Sequence, residues 1–257
     1  MPAWFVGHGS PLLAVEQDDF TAALRREGAA LPRPRAIVVV SAHWESRGIR
    51  VTASDRPALI YDFSGFPPEL TDVRYPAPGD PALAADVSKR LRDAGLEAAE
   101  EARRGLDHGA WVPLVHAFPN ADIPVVQVAL PVPRTADDVV RMGSALAPLR
   151  DQGVLLIGSG GIVHNLRRVR FDDKAAPAAD WAEAFDGWVR DRVQSLGVAD
   201  LAAYRSRAPN AALAVPTTEH FDPVFFALGA AAAGDQVRTL FEGFHYGTLS
   251  MRSFSLE

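Results

Sequence analysis

Cysteine is absent from this chain of 257 residues. The protein therefore has no disulfide, no thiolate nucleophile, no zinc held by cysteine and no cysteine-ligated iron–sulfur cluster. Any metal ion that it binds must be held by nitrogen and oxygen ligands, a chemistry that suits zinc, iron or manganese.

Long apolar runs and an excess of positive charge are also missing. No run approaches the roughly 18 apolar residues that cross a bilayer, and the first residues lack the pattern of a signal peptide. The formal net charge is −6, whereas a protein that binds a phosphate backbone needs a basic face. We therefore expect a cytoplasmic protein, a monomer or a small homo-oligomer, that binds neither membranes nor nucleic acid.

Hydrophobic periodicity predicts an α/β fold. Four short apolar runs have the length and flanking turns of buried strands: Trp4–Val6, Ala36–Val40, Val125–Ala129 and Val154–Ile157. Three segments have helical spacing, namely Pro81–Ala94, a helix capped by Thr135, and Ala176–Ser195. Alternating strands and helices are typical of a mainly parallel or mixed sheet with helices on both faces. We expect a single domain over residues 1–257.

One segment, Thr52–Asp80, breaks the alternation of strands and helices. It is rich in proline, glycine and aspartate, and it carries several aromatic residues. Long irregular segments inside compact domains are often functional. We predict an irregular loop at this place.

Three of the seven histidines follow a hydrophobic run or the glycine break of one. His8 lies in AWFVGHGSP, His43 in AIVVVSAHW and His164 in VLLIGSGGIVHNL. Open α/β sheets bind ligands outside the carboxyl ends of their strands, so these residues are expected to meet at one rim. Imidazole is the commonest metal ligand and the usual general base near neutral pH. The pattern predicts a metal site or an acid–base site.

Two further histidines are candidates for the same site. His108 follows Asp107, which could orient its imidazole, although the pattern taken alone favours an ordinary loop histidine. His220 follows Thr218, which we predict to be a helix N-cap. A helix N-terminus disfavours a protonated imidazole but not a neutral, metal-bound one. The remaining two histidines, His116 and His245, lack such a setting and are interpreted as structural.

The glycine run Gly158–Gly161 allows a ligand to approach the backbone closely. It is not a nucleophile elbow, because Ile157 stands where the first glycine is needed. It is not a dinucleotide fingerprint either, because Val163 stands where the last one is needed. A serine hydrolase and an NAD site are therefore weakly supported.

Several motifs together resemble one family along nearly the whole chain, from His8 to Phe254. They are GHGSPL, SAHW, YDFSGFP, LDHGAWVPL, GSGGIVHNL, EHFDPVFFALGA and YGTLSMRSF. The set is similar to the 4,5-DOPA dioxygenase extradiol family, a branch of the class III extradiol ring-cleavage dioxygenases. The resemblance implies a single catalytic α/β domain and a mononuclear metal, Fe(II) in active enzymes and sometimes Zn(II) in purified or crystallised ones. It also implies that O₂ cleaves a catechol ring beside, rather than between, its two hydroxyls.

The resemblance also implies roles for individual residues. His8 and His43 would be two metal ligands and His220 the third. In the wider class the third ligand is a glutamate, and Glu219 is adjacent here, but a histidine at this position is typical of the DOPA branch. Neutral nitrogen ligands would leave positions open for the catechol and O₂.

Two more histidines would face the substrate. The resemblance makes His164 the acid–base residue, which could take a catechol proton because the ordinary histidine pKa is near 6.5. It places His108 where it could stabilise negative charge on bound oxygen. Four aromatic residues are candidate pocket walls, of which we expect at most half to line it: Trp44, Phe63, Phe66 and Trp111. Two arginines, Arg168 and Arg252, are weak candidates for binding a substrate carboxylate.

Two other functions fit the same residues. One is a zinc-dependent hydrolase that uses a metal-bound hydroxide on the same three ligands, with His164 as base. The other is a non-catalytic protein that binds a metal or an aromatic ligand. Only the motif set favours the dioxygenase, and ligand type does not distinguish zinc from iron.

Overall fold

The computed structural model describes residues 1–257, and its strands form one large sheet and one small hairpin. The ten strands are β1 (Ala3–Gly7), β2 (Ala36–Ser46), β3 (Ile49–Thr52), β4 (Ala98–Glu101), β5 (Val125–Pro131), β6 (Val154–Gly160), β7 (Val237–Phe241), β8 (Phe244–His245), β9 (Leu249–Ser250) and β10 (Ser253–Leu256). Strands β8 and β9 pair only with each other, and the other eight form the sheet.

The large sheet has the order β4-β3-β5-β2-β6-β1-β10-β7. Its four central strands, β5, β2, β6 and β1, are mutually parallel, whereas β3 pairs antiparallel with β5, and β10 pairs antiparallel with β1 and β7. The predicted mainly parallel or mixed sheet is confirmed. The carboxyl ends of the four central strands therefore open on one rim, where ligands of such sheets bind.

Helices cover both faces of the sheet, as predicted. They are α1 (Asp19–Ala30), α2 (Pro81–Asp93), α3 (His108–Ala117), α4 (Ala136–Leu146), α5 (Asp180–Gln194), α6 (Val198–Ala202), α7 (Tyr204–Arg207), α8 (Ala211–Ala214) and α9 (Pro223–Gly229). Alternate residues of one strand enter different cores. Phe5 packs in the core that includes α2, α4, α5 and α9, whereas Trp4 and Val6 pack in the core that includes α1 and α3. Both faces are buried, so the central strands are continuous apolar runs.

Most element boundaries lie close to the prediction. The helix predicted at Pro81–Ala94 ends at Asp93, and Thr135 caps α4 with a reciprocal hydrogen bond to Asp138. The helix predicted to begin at Ala176 begins at Asp180 instead, just after Pro177. A proline disfavours helical backbone in the residue before it, which excludes Ala176 from the helix.

Strand β2 is longer than its apolar run. It continues from Val40 to Ser46 through polar residues, and its register with β5 shifts between Val40 and Glu45. His43 therefore lies on the irregular end of a strand rather than beyond it. Bulged strands of this kind redirect side chains and are frequent beside functional sites.

The prediction that Thr218 caps a helix was wrong. Helix α9 begins four residues later, with Asp222 at its N-cap and Pro223 at its first position. The Thr218 carbonyl instead accepts hydrogen bonds from the backbone N–H groups of Phe221 and Asp222 in a separate turn. His220 lies within that turn, so its imidazole is not at the N-terminus of a helix, contrary to the prediction.

The segment between β3 and α2 is irregular, as predicted. Its only regular features are a short 3-10 turn at Pro68–Asp72 and an isolated parallel bridge between Leu59 and Leu106. No helix in the protein combines the length and the apolar character that crossing a membrane requires.

Candidate metal centre

Two of the histidines occupy neighbouring strand ends at the rim. His8 directly follows β1, and its backbone N–H donates to the Gly160 carbonyl, which extends the pairing of β1 with β6. His43 projects from the irregular end of β2. Their Nε2 atoms are 3.0 Å apart, so the sheet itself aims both rings at one point.

His220 reaches the same point from the turn before α9. Its Nε2 lies 3.3 Å from the Nε2 of His43. The turn packs against the glycine run, because the Gly161 N–H donates to the His220 carbonyl over 2.7 Å. A Cβ atom on Gly160 would lie 2.1 Å from that carbonyl oxygen. The glycine run therefore serves to bring the His220 backbone against β6.

Oxygen atoms face the outer ring nitrogens of these three histidines. The Ser159 hydroxyl donates to the Gly109 carbonyl over 2.5 Å, so its oxygen accepts from the His8 Nδ1–H at 3.0 Å. The Nδ1 of His220 lies 3.0 Å from Glu219 Oε1, and the Nδ1 of His43 lies 3.7 Å from a carboxylate oxygen of Asp62. An acceptor at Nδ1 leaves the Nε2 lone pair free to face a metal.

The spacing of the Nε2 atoms fits a single metal ion. Imidazole nitrogens lie about 2.0–2.1 Å from a metal such as zinc, so two of them on one ion are separated by about 2.9–3.4 Å. The observed separations of 3.0 and 3.3 Å fall within that range. The donor set, three nitrogens without sulfur, is one that iron and zinc both accept.

Burial keeps these imidazoles in the form that binds metals. It lowers the pKa of His8 and of His220 well below the ordinary value, with a further contribution from the surrounding imidazoles. Burial and the neighbouring His108 lower the pKa of His43 to about 3. All three rings are therefore neutral at neutral pH, as metal ligands must be.

His164 enters the site beyond the end of β6. Its backbone N–H donates to the Ala214 carbonyl, and its ring stacks on His220 with centroids 3.5 Å apart and planes 7° apart. No other side chain forms a hydrogen bond with this ring. Burial lowers the pKa of His164 to about 4, so the ring is neutral at neutral pH.

His108 is the first residue of α3 and lies against the other side of the cluster, with its ring centroid 3.9 Å from that of His43. Its partner is not Asp107, whose buried carboxylate accepts hydrogen bonds from Ser41 and Gln127 instead. The Nδ1–H of His108 donates to Asp62 Oδ1 over 2.8 Å. Sequence reasoning missed Asp62 because no spacing rule connects position 62 with position 108.

The structure thus brings together all five histidines predicted for the site. Two groups within it, which share no residue, are each close enough to hold one ion. The first comprises His8, His43 and His108, and the second comprises His164, Glu219 and His220. The other two histidines lie elsewhere: the His116 Nε2–H donates to the Leu13 carbonyl, and His245 lies 3.5 Å from Asp18.

A cavity of about 220 Å³ opens beside the cluster and is lined by all of its histidines except His8. Phe63 and Phe66 line it, together with Phe171. The other two aromatic candidates do not reach it. The indole N–H of Trp111 donates to the Ile60 carbonyl, and Trp44 lies under the Arg104 guanidinium, 4.6 Å from ring centre to carbon. Two of the four predicted aromatic residues therefore line the cavity.

A second cavity, of about 680 Å³, adjoins the first and shares His164, Leu166 and His220 with it. Arg167 and Arg168 also line this cavity, and neither forms an ion pair within the protein. Arg252 lies elsewhere, because its buried guanidinium pairs with Asp186 and Glu242, and it is not free to bind a ligand.

One buried arginine connects the segments that carry two of the histidines. The Arg134 guanidinium pairs with Glu45 at 2.6 Å and with Asp222 at 2.5 Å. These carboxylates lie two residues after His43 and two residues after His220. Since the Arg134 side chain is only 7% exposed, this cross-link holds the two segments at a fixed separation.

Comparison with known proteins agrees with this geometry. The family described as the catalytic LigB subunit of aromatic ring-opening dioxygenase matches residues 3–253. Two proteins named 4,5-DOPA dioxygenase extradiol are similar over nearly their whole length. The one from Escherichia coli (strain K12) is 41% identical over 100% of this chain and 94% of that protein, and the one from Beta vulgaris is 37% identical over 98% and 94%.

A solved structure shows the same fold. The crystal structure of an uncharacterized protein from Escherichia coli K12 superimposes with a TM-score of 0.86 and 38% identity, covering 100% of both chains. These similarities span the strands and turns that supply the clustered histidines. The chain therefore belongs to the family of the catalytic LigB subunit of aromatic ring-opening dioxygenases, and it is an enzyme of that family.

Proposed function

We propose that this enzyme is an extradiol dioxygenase that opens the ring of a catechol with O₂ at one iron ion held by His8, His43 and His220. The observation that carries the proposal is that the Nε2 of His43 lies 3.0 Å from that of His8 and 3.3 Å from that of His220. The names of its relatives support the same reaction.

The contacts around His220 favour it over its neighbours as the third ligand. Glu219 Oε1 already faces the His220 Nδ1 and accepts from the Thr217 hydroxyl, so this carboxylate orients the ligand rather than replacing it. His108 lines the cavity, and its Nδ1–H donates to Asp62, while its ring is close enough to His8 and His43 to share an ion with them. We assign His108 to the substrate and oxygen side of the site.

Other residues around the cavity would transfer a proton and stabilise charge during the reaction. A bound Fe(II) ion would supply open coordination positions for the catechol and O₂. His164, neutral and free of other side-chain hydrogen bonds, accepts a proton from a catechol hydroxyl. His108 faces the reacting oxygen, and the Asp62 carboxylate behind it offsets positive charge on its ring.

The two cavities indicate the kind of catechol. The smaller one has phenylalanine walls, Phe63 and Phe66, that match the faces of an aromatic ring. The larger one presents the unpaired guanidinium groups of Arg167 and Arg168, which suit an anionic substituent. We propose a catechol that carries a carboxylate on its side chain, such as DOPA.

Oxygen consumption tests the reaction. The protein is stripped of metal, reloaded anaerobically with Fe(II), mixed with DOPA or protocatechuate and exposed to air. We expect oxygen uptake together with a coloured ring-opened product, and neither in the zinc-loaded protein. Metal binding without oxygen uptake across a panel of catechols would contradict the proposal and favour a zinc-dependent hydrolase or a binding protein.

Metal content tests the ligand set. His220→Ala should lose most of the bound metal, whereas His108→Ala should retain it and lose turnover. The reverse result would replace His220 by His108 as the third ligand, since both rings contact His43.

We also propose that residues 1–257 form one catalytic domain. Strand β1, which precedes His8, lies between β6 and β10, so residues from distant parts of the chain share one sheet. A single cooperative unfolding transition, seen equally by two spectroscopic probes, is expected. Two separate transitions would contradict it.

A further inference from the structure

Asp62 reaches the histidine cluster from the irregular segment between β3 and α2. Its Oδ1 accepts hydrogen bonds from the His108 Nδ1–H at 2.8 Å and from the His108 backbone N–H at 3.1 Å. Its Oδ2 lies 3.7 Å from the Nδ1 of His43. One carboxylate, 23% exposed, therefore contacts two rings of the cluster.

The backbone explains how Asp62 reaches this position. The Ile60 N–H donates to the Leu106 carbonyl, and the Leu106 N–H donates to the Ala58 carbonyl, forming a short parallel bridge. Asp62 follows one side of the bridge by two residues from Ile60, and His108 follows the other side by two residues from Leu106. The two side chains consequently leave the bridge next to each other.

The contacts have the geometry of a carboxylate that accepts from an imidazole. One oxygen of Asp62 accepts from both the side-chain and the backbone N–H of His108. An ionised carboxylate accepts from Nδ1–H and leaves Nε2 as the free nitrogen of the ring.

We propose that Asp62 is a positioning residue shared by the metal ligand His43 and the substrate-facing His108. By accepting the Nδ1–H of His108 and placing its second oxygen 3.7 Å from the Nδ1 of His43, it favours a proton on Nδ1 of both rings and directs both Nε2 atoms into the site. The inference rests on the proposed metal site and adds to it a residue outside the histidine cluster.

No other carboxylate duplicates this contact. Asp107 is fully buried nearby, but its oxygens are engaged by Ser41, Gln127 and Arg104. Glu219 faces His220 on the opposite side. Removal of the Asp62 charge therefore leaves the outer nitrogens of His43 and His108 without a carboxylate.

The test compares Asp62→Asn with Asp72→Asn. Asp72 is exposed in the same segment and forms no side-chain hydrogen bond, so its variant removes an equal charge without the contact. Zinc affinity is measured by competition with a chelator, and the proton position on the His108 ring by long-range ¹⁵N NMR of the zinc form. Neither readout requires turnover.

We expect Asp62→Asn to weaken zinc binding by about 10- to 100-fold, the usual effect of losing an outer partner of a metal ligand. His108 should also lose its preference for Nδ1–H. Asp72→Asn should match the wild type in both measurements.

Unchanged zinc affinity and an unchanged His108 ring in Asp62→Asn and Asp62→Ala would overturn the inference while leaving the metal site intact. A wild-type protein that binds no zinc would overturn the metal site as well. Thermal unfolding of the metal-free variants identifies a general loss of stability, which would contradict a positioning role if it alone explained the weaker binding.

Discussion

The residues on the two sides of the cavity beside the histidine cluster belong to different kinds of secondary structure. On one side, His8 and His43 stand on the ends of central parallel strands, and a hydroxyl or a carboxylate faces each outer ring nitrogen. On the other side, Phe63 belongs to the irregular segment before α2, and Leu166 and Phe171 belong to the loop after β6. Leu166 and Phe171 are each 55% exposed.

This difference separates the demands of metal binding from those of substrate recognition. A metal site tolerates displacements of only a few tenths of an ångström, so its ligands belong on rigid strands. A substrate-facing wall can differ between related enzymes, and exposed loops accept such changes at low cost in stability. Changes on the strand side should therefore alter metal binding, and changes on the loop side should alter substrate affinity.

The largest effect is expected at His164, where the two sides meet. His164→Ala should lower kcat by about 10²- to 10⁴-fold, because the proposed acid–base residue is gone. Metal content, measured on the same preparation, should stay at the wild-type level. A parallel loss of metal would instead place His164 among the ligands, next to His220, on which its ring stacks.

The second-largest effect is expected from adding a single methyl group at Gly109, on the strand side of the cavity. A Cβ atom on Gly109 would lie 2.5 Å from Ser41 Oγ, 3.0 Å from His43 Cδ2 and 3.3 Å from His8 Cε1. Gly109→Ala should therefore displace both ligands, weaken zinc binding by about 10-fold or more, and cost about 1–3 kcal/mol in the free energy of unfolding.

Gly187 provides the matched control for that substitution. It lies in α5, and no atom outside the local helix is within 4 Å of the position that an added methyl group would occupy. Gly187→Ala should leave zinc binding unchanged and raise stability slightly, because alanine favours helix. Equal zinc affinity in the two variants would show that the strand side is not rigid.

The pH dependence of stability measures how firmly the cluster is buried. In the metal-free protein, burial lowers the pKa of His43 to about 3 and that of His164 to about 4, against roughly 6.5 in an unfolded chain. Below pH 6.5 the unfolded state binds protons that the native state does not. The contribution of these histidines to the free energy of unfolding is therefore fully present above pH 6.5. It decreases as the pH is lowered below that value, by up to about 1.4 kcal/mol per pH unit for each histidine.

Urea unfolding of the metal-free protein at pH 7 and pH 5 tests this dependence. His164→Gln removes one of the four cluster histidines whose pKa is lowered and should reduce the slope, whereas a variant with the wild-type slope would mean that the ring is solvated. All other titratable groups are present in both proteins, so the difference in slope reports the loss of His164.

The smallest effect is expected on the loop side. Phe171→Ala should raise KM by about 2- to 10-fold, because part of the apolar area covered by the substrate is lost. Zinc affinity should not change, and the free energy of unfolding should stay within about 0.5 kcal/mol. Val15→Ala, at a residue 50% exposed outside the cavity, is the control, and an equal rise in KM there would contradict the assignment.

The central strands and the convergence of the histidines could be predicted because they depend on local patterns. A strand buried on both faces has a continuous apolar run, and a residue after such a run lies at the rim. The shorter antiparallel strands carry no such signal. Strand β10, for example, has alternating serines, and its place beside β1 depends on pairing between distant residues.

The orientation of the individual rings could not be predicted for a related reason. Asp62 reaches His108 through the bridge of Leu59 with Leu106, and Asp107 turns away because Ser41 and Gln127 satisfy its buried carboxylate. Both outcomes depend on which hydrogen bonds remain to be made once the sheet has formed. Sequence neighbours alone gave the wrong partner for His108.

The position of β10 also affects when this site can form during synthesis of the chain. The Gly7 N–H donates to the Ser253 hydroxyl across 246 positions of sequence, and β10 flanks the strand that ends at His8. At a synthesis rate of about 5–20 residues per second, roughly 12 to 50 seconds pass between the two residues. His8 and His43 are therefore synthesised long before β10, the strand that flanks β1, whereas His220 is synthesised shortly before it.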